Sequence, residues 1–385
     1  MELGKQEKNI QDLIYLVACA IHEVEPADEI VRAMDLDEIY RLAAKQCISA
    51  MLGHVLKNKK ELLGAEQYNI WNQAEALSVR KNMLMDIERN SILNWMEQNG
   101  IWYMPLKGVI IKDMYPAFGM REMSDNDILF DPAARAALRD HMVDLGYRVE
   151  LYETDKDDQY MKNPVYFFEM HVSLAEDHLY PKIYEYYKDV KERLVPDAGK
   201  KYGYHFTDED FYIFHVAHSE KHTEHSGDGL RSMIDSYVYL TQKPNMDWKY
   251  IEEQLELLGM LEFESNMRAL AFRLFGTAEY GIYDRCNEDE IRKVEAHVRA
   301  GKHGTLSTSI EKYINNVMDT NGGKSGKGAY YMHRLFPDKA TMKRNYHVLL
   351  KHGWLLPFCH IHRVVRGVLF KRDRISRELN EVRKA

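Results

Sequence analysis

A change of hydrophobic period near residue 99 is the feature that most limits how this chain can fold. Residues 10 to about 98 carry apolar side chains at helical spacing, and this spacing returns from Thr207 onward. Between residues 101 and 174 the apolar residues instead form short runs with the period of strands. The sequence therefore predicts a small α/β module set between two helical regions.

Four strands and two helices are predicted within this module. The apolar run 101–106 ends at Lys107-Gly108 and a helical pattern follows, which indicates a strand, a glycine turn and a helix. The remaining predicted elements are strands at 125–130, 146–149 and 167–174 and a helix at 132–145. The chain is accordingly divided into an N-terminal helical region (1–98), an α/β core (99–200) and a C-terminal helical domain (201–385).

Outside the module, terminal signals mark the ends of the longer helices. Asn99-Gly100 is typical of a helix C-terminus and closes a helix predicted from Trp71. Thr207 is predicted to be an N-cap, with Asp210 at the third helical position. A single helical stretch is predicted over residues 248–275.

Composition argues against several functional classes. The chain has 385 residues and a formal charge of −8, whereas a dedicated duplex-binding protein normally carries a basic surplus. Its longest apolar run, residues 13–21, is much shorter than the roughly 20 residues that cross a bilayer, and its charged N-terminus is unlike a signal peptide. We therefore expect a soluble, cytoplasmic protein without a membrane segment and without nucleic acid as a partner.

Asp125 and Asp127 are two residues apart in a predicted strand. Side chains at positions i and i+2 of a strand point to the same face and lie about 6.5–7 Å apart. Two carboxylates at this distance repel each other unless a cation or a proton lies between them, and oxygen ligands of this kind suit Mg²⁺. The pair is a candidate Mg²⁺ site, with an exposed turn at the start of a strand as the alternative.

The predicted strand 167–174 has one apolar and one polar face. Phe168 and Met170 fall on the apolar face, whereas Glu169 and His171 fall on the other. A polar stripe of this kind indicates a face that lines a cleft, with a solvated sheet face as the alternative. Glu169 is then a candidate third carboxylate, as a metal ligand or as a base, and His171 is a candidate substrate contact.

Three residues are candidates for binding phosphate. Lys107 and Gly108 lie at the predicted turn, where backbone N–H groups at a helix N-terminus bind phosphate and glycine permits its close approach. Arg121, four residues before Asp125, is a candidate phosphate clamp, with a surface arginine as the alternative. Farther along the chain, the i,i+4 spacing of Arg231 and Asp235 predicts an ion pair, with a phosphate role for Arg231 as the alternative.

Taken in order, these motifs resemble the uncharacterised nucleotidyltransferase family of the polymerase-β-like nucleotidyltransferase superfamily. The resemblance covers most of residues 90–375, and the order of the motifs is more specific than any one of them. The matching segments are Leu106-Lys107-Gly108, Tyr115-Pro116, Arg121, Ser124 to Leu129, Leu145-Gly146-Tyr147, Glu169-Met170-His171, Leu230-Arg231, Asp235, Asp247-Trp248, Leu355-Leu356-Pro357 and Arg363.

The resemblance implies an α+β fold in which a small mixed sheet forms the nucleotidyltransferase core, flanked by N-terminal and C-terminal helical regions. It also implies that Asp125, Asp127 and Glu169 hold two Mg²⁺ ions, for which Mn²⁺ can substitute, and that the glycine turn grips the phosphates of an NTP such as ATP. The chain departs from the superfamily at one position, because Val109 follows Gly108 where a serine or a second glycine is usual.

The implied activity is Mg²⁺-dependent transfer of an NMP group from an NTP to an acceptor hydroxyl or phosphate. The acceptor, a small molecule or a protein, is not identified by the sequence. The alternative is a catalytically degenerate NTP-binding module with a regulatory or interaction role, which the missing serine favours.

A row of histidines follows the module. His215, His218, His222 and His225 are spaced so that they share one side of a helix. The family resemblance includes a histidine here that His218 matches best, so His218 and His222 are predicted to contact substrate in the cleft. Zn²⁺ binding and ordinary polar packing are the alternatives.

Overall fold

The computed structural model describes residues 4–154, 156–225, 229–301, 326–337 and 352–370, together with residues 342, 346 and 349. The chain forms two compact units. The first comprises Met1–Glu220 and Gly229–Val298, and the second comprises Lys221–Asp228 and Arg299–Ala385. The N-terminal helices and the sheet described below therefore belong to one unit.

Helices make up most of the described chain. Up to residue 300 we label them α1 to α14, with the bounds Lys5–Ile21, Asp28–Arg32, Leu36–Gln46, Ser49–Leu56, Lys60–Gln98, Gly108–Ile111, Arg135–Asp144, Pro181–Tyr187, Asp208–His225, Leu230–Gln242, Trp248–Leu258, Leu261–Phe275, Ile282–Arg285 and Glu288–Ala300. The second unit contains the helices Gly326–Leu335 and Leu356–Phe370. None of the helices described is long and apolar enough to cross a membrane.

Five strands form a mixed sheet in the first unit. They are β1 Tyr103–Pro105, β2 Asn126–Phe130, β3 Arg148–Leu151, β4 Asp157–Lys162 and β5 Tyr166–His171. Their order across the sheet is β1-β2-β5-β4-β3, with β2 and β5 parallel and the other neighbouring pairs antiparallel. A second, two-stranded sheet pairs β6 Val195–Pro196 with β7 Tyr204–His205. The predicted α+β class, with helical regions on either side of the sheet, is confirmed.

Two large apolar clusters stabilise the first unit. In α1, Leu13 and Leu16 are fully buried, and this helix packs against α3, α4 and α12. The second cluster lies under the sheet, where Phe168 and Met170 of β5 meet Ile92 of α5 and residues of α7. Because successive side chains of a strand alternate between faces, the opposite face of β5 carries Glu169 and His171.

The long helix α5 fixes the loop that leads into β2. Ser78 Oγ donates to the Gly119 carbonyl at 2.7 Å, and Asn82 Nδ2 donates to the Arg121 carbonyl at 3.1 Å. One turn farther, Met85 packs in a small buried cluster with Met123. The helix and the loop therefore run side by side, which sets the position of Asp125 just before β2.

Several element boundaries differ from the sequence predictions. The long helix begins at Lys60 rather than Trp71, with a break at Gly64, where φ is +74°. The stretch predicted as one helix over 248–275 is two, because the chain turns at Gly259 with φ +79°. Strand β5 ends at His171, so residues 172–174, which were predicted to be part of the strand, lie outside it.

Other local predictions are confirmed. Thr207 Oγ1 accepts a hydrogen bond from the Asp210 backbone N–H at 3.1 Å, as an N-cap does. The long helix ends at Asn99-Gly100, where Gly100 has φ +72°. Strand β4 was not predicted, because Asp157-Asp158-Gln159 is polar and lacks the alternation of a half-buried strand.

Candidate active site

Two acidic side chains lie next to each other at the centre of the sheet. Asp127 of β2 is the register partner of Glu169 of β5. Register partners on neighbouring strands project to the same face, so the two carboxylates meet on the face opposite Phe168 and Met170. The polar face predicted for strand 167–174 therefore lies beside Asp127 of the neighbouring strand.

His171 completes a compact cluster with these two acids. Its Nε2 lies 2.8 Å from Asp127 Oδ1 and 3.8 Å from Glu169 Oε2. One ligand atom from each residue lies within 4.8 Å of the other two, as expected of side chains able to hold one metal ion. Asp125 is not a member of this three-residue group, whose third member is His171, so its role as a metal ligand stays a prediction.

Lys107 approaches the cluster from the turn after β1. Its Nζ lies 2.7 Å from Asp127 Oδ1, the same oxygen that His171 contacts. The turn is fixed by the Leu106 N–H, which donates to the Asp127 carbonyl at 2.9 Å. Lys107 has φ +50° and ψ −123°, a conformation that L-residues rarely adopt and that is often found at functional sites.

Asp127 and Lys107 each stabilise the charged form of the other. Burial by itself would raise the pKa of Asp127, but Lys107 and His171 outweigh burial and hold that pKa well below its ordinary value. Burial would also lower the pKa of Lys107, but the carboxylates of Asp127 and Glu169 outweigh it and raise that pKa. Asp127 is therefore an anion and Lys107 a cation at neutral pH.

The other two members of the cluster are driven towards their neutral forms. Burial, followed by the charge of Asp127, raises the pKa of Glu169 to about 8. Burial lowers the pKa of His171 to about 4, so its ring is neutral at physiological pH. A neutral ring whose Nε2 faces an ionised carboxylate carries its proton on Nε2, so His171 donates to Asp127.

Arg121 is engaged in a buried ion pair, and its expected role as a phosphate clamp stays a prediction. Its Nε and Nη2 donate to the two oxygens of Asp235 at 2.8 and 2.7 Å, and both side chains are buried. Tyr115 Oη donates to the same carboxylate at 2.6 Å. A Cβ on Gly108 would lie 2.3 Å from Arg121 Nη1, so the absence of a side chain at Gly108 makes room for the guanidinium.

Two further phosphate-site predictions are modified. Asp235 pairs with Arg121 instead of Arg231, whose Nη1 donates to the Glu122 carbonyl at 3.2 Å, so the predicted i,i+4 pair is wrong. The helix after Gly108 is a short one, an α-helical turn over Gly108–Ile111 followed by a 3₁₀ turn over Lys112–Met114, and the Val109 N–H donates to the Leu106 carbonyl at 3.2 Å. That amide is therefore already used within the turn.

The histidines of α9 have different environments. His215 is buried and contacts Ser236 Oγ at 2.8 Å, which is the polar packing considered as an alternative. His218 and His222 are half-buried one turn apart, and the His218 ring lies 6.3 Å from that of Phe214. The side chain of His225 lies outside the described residues. A substrate-binding role for His218 and His222 stays a prediction.

Strand β4 contributes a residue that the sequence did not single out. Gln159 is the register partner of Glu169, and its Nε2 lies 3.5 Å from Glu169 Oε1 and 3.0 Å from Asp157 Oδ2. The Gln159 amide therefore connects Glu169 to β4. The polar run Asp157-Asp158-Gln159 was the available signal, but no periodic pattern showed that it was a strand.

The family described as an uncharacterised nucleotidyltransferase matches residues 32–276, which include the whole five-stranded sheet, α9 and α10. No curated protein matches the chain, and no solved structure matches it.

Proposed function

The chain belongs to this uncharacterised nucleotidyltransferase family, and from that premise we propose that it transfers an NMP group from an NTP to an acceptor in a Mg²⁺-dependent reaction. The observation that carries the proposal is the pairing of the Asp127 and Glu169 carboxylates on neighbouring strands, with His171 beside them and one atom from each of the three residues within 4.8 Å of the others. The family match supports nucleotidyl transfer in general terms, whereas the metal, the nucleotide and the acceptor are our proposals.

The donor set of the cluster fits a divalent cation. Asp127 and Glu169 supply carboxylate oxygens, which suit Mg²⁺ and Mn²⁺, and Asp127 is ionised. Asp125, half-buried just before β2, lies two residues from Asp127 and is proposed as a further ligand from the same side. His171 donates to Asp127 and so orients that carboxylate in the manner of an outer-shell partner.

In the proposed reaction an acceptor oxygen forms a bond to the α-phosphorus of the NTP, the bond from that phosphorus to the β-phosphate oxygen breaks, and pyrophosphate leaves. A bound divalent cation supplies charge that stabilises the leaving pyrophosphate and lowers the pKa of the acceptor hydroxyl. The proton of that hydroxyl passes to a base. Glu169 in its ionised form is our candidate for this role or for a metal ligand, because its side chain is 20% exposed whereas that of Asp127 is 6% exposed.

One observation favours a second candidate function, a catalytically degenerate NTP-binding module. The ammonium of Lys107 contacts Asp127 Oδ1 at 2.7 Å and so offsets part of the negative charge of the acidic cluster. Val109 also occupies the position at which the superfamily usually has a phosphate-binding serine. A degenerate module would bind an NTP without transferring any part of it.

Label transfer distinguishes the two candidates. The wild-type chain is incubated with Mg²⁺ and with NTPs labelled at either the α- or the γ-phosphorus, in the presence of a metabolite pool and cell proteins. Nucleotidyl transfer predicts acceptors labelled from the α-position only, and this labelling is lost in Asp127→Asn and Glu169→Gln. NTP binding without any transfer would support the degenerate module, and labelling from the γ-position would refute nucleotidyl transfer.

A further inference from the structure

An unassigned cation lies beside the acidic loop of the candidate site. Lys81 is half-buried on α5, on the side of the helix that follows the 119–126 loop. Its helical neighbours establish this placement, since Ser78 and Asn82 donate to the Gly119 and Arg121 carbonyls. In the chain as described, the Lys81 ammonium has neither a hydrogen bond nor an ion pair.

Burial of this ammonium costs stability. Burial lowers the pKa of Lys81, and the carboxylates of Asp125 and Glu122 offset only part of that effect. A half-buried lysine covers its methylene stem while its ammonium remains within reach of water or of a ligand. Half-buried on the helix side that follows the loop, and within reach of the charges of Asp125 and Glu122, Lys81 is placed to meet a ligand with negative charge.

A second cation approaches the same loop from α10. Arg231 Nη1 donates to the Glu122 carbonyl at 3.2 Å, which holds its guanidinium beside the loop. A guanidinium has five N–H donors, so one bond to a carbonyl leaves others for a ligand. Arg231 is also half-buried and is among the charges that act on Lys81. The two cations repel each other, and a polyanion between them would relieve that repulsion.

We propose that Lys81 and Arg231 bind the polyphosphate chain of the nucleotide on the Asp125 side of the cleft. This inference rests on the proposed function, because a metal held by Asp125 and Asp127 would bring the phosphates to the start of β2. Arg121 is already paired with Asp235, so the phosphate-binding role expected of it is assigned instead to two cations that border the same loop.

The test compares nucleotide binding by Lys81→Met with that by Arg80→Met, a matched control on the exposed side of α5. Titration calorimetry is carried out with Mg-ATP, Mg-GTP, Mg-CTP, Mg-UTP and Mg-pyrophosphate. We expect Lys81→Met to raise the Kd for the tightest nucleotide and for pyrophosphate by about tenfold or more, because a charge-assisted contact is lost. Lys81→Met/Arg231→Met should weaken binding further, and Lys81→Arg should retain most of it.

Thermal unfolding separates binding from folding. Lys81→Met should unfold at the same temperature as the wild type or higher, since it removes a desolvated charge. Wild-type affinity for Mg-NTP in Lys81→Met, or an equal loss in Arg80→Met, would overturn the inference and leave the proposed function intact. If the wild-type chain binds none of the four Mg-NTPs, the proposed function fails and the inference fails with it.

Discussion

The buried ion pair between Arg121 and Asp235 gives the sharpest prediction about stability. The two side chains are only 8% and 5% exposed, and two hydrogen bonds of 2.8 and 2.7 Å join them. Arg121→Met leaves the carboxylate buried with Tyr115 as its remaining donor. Leaving one charge of a buried pair uncompensated typically costs about 3–5 kcal/mol, so we expect Arg121→Met to lower the free energy of unfolding by that amount.

Replacing both charged groups should cost less than replacing one. The double variant Arg121→Met/Asp235→Leu buries no unpaired charge, and such apolar replacements of buried pairs are often neutral or stabilising. Urea unfolding of the wild type, both single variants and the double variant gives the coupling free energy between the two positions. The expected cycle is strongly non-additive, with the double variant more stable than Arg121→Met.

The same cycle decides between a structural and a phosphate-binding role for Arg121. A loss of less than about 1 kcal/mol in Arg121→Met, the size typical of an exposed pair, would refute the account of a buried pair. A large rise in the Kd for Mg-NTP without loss of stability would restore the original expectation that Arg121 clamps phosphate.

Three further predictions concern Gly108, Asp235 and His171. Gly108→Ala should destabilise the chain by roughly 1–3 kcal/mol in urea unfolding, because its Cβ would lie 2.3 Å from Arg121 Nη1, and the cost should shrink in an Arg121→Met background; equal costs would contradict the clash. Burial would raise the pKa of Asp235, but Arg121 outweighs burial and lowers that pKa, so the ionised carboxylate adds stability above about pH 4 that is lost as the pH falls through the pKa of the folded state. The difference in free energy of unfolding between the wild type and Asp235→Asn should therefore narrow below about pH 4. A constant difference from about pH 7 to about pH 3 would refute this prediction. His171→Gln, which keeps an N–H donor for Asp127, should retain more Mn²⁺ binding than His171→Leu, whereas equal loss would show that the donor is unimportant.

Features encoded by local periodicity could be predicted from the sequence. The alternation around Glu169 and His171 correctly predicted which side chains share a face of β5, since neighbouring residues of a strand alternate. The end of the long helix at Gly100 and the cap at Thr207 followed from residue types with specific backbone preferences.

Features that depend on distant partners could not be predicted in this way. Arg121 and Asp235 are 114 residues apart, and nothing in their local spacing indicates that they pair. The i,i+4 spacing suggested Arg231 as the partner, but tertiary packing placed Asp235 against the loop after α6 instead. The contribution of Gln159 was missed for a related reason, because β4 is recognised only by its pairing with β3 and β5.

The central claim is that the acidic cluster holds the divalent metal of a nucleotidyltransferase, and Mn²⁺ binding followed by EPR tests it most directly. The wild type and Asp127→Asn, Glu169→Gln and Asp140→Asn variants are titrated with and without the NTP that binds most tightly. Asp140 is the control, since its side chain is 64% exposed on α7. We expect Mn²⁺ binding that NTP strengthens, that Asp140→Asn retains and that both cluster variants lose. Equal Mn²⁺ binding in all four proteins would contradict the claim.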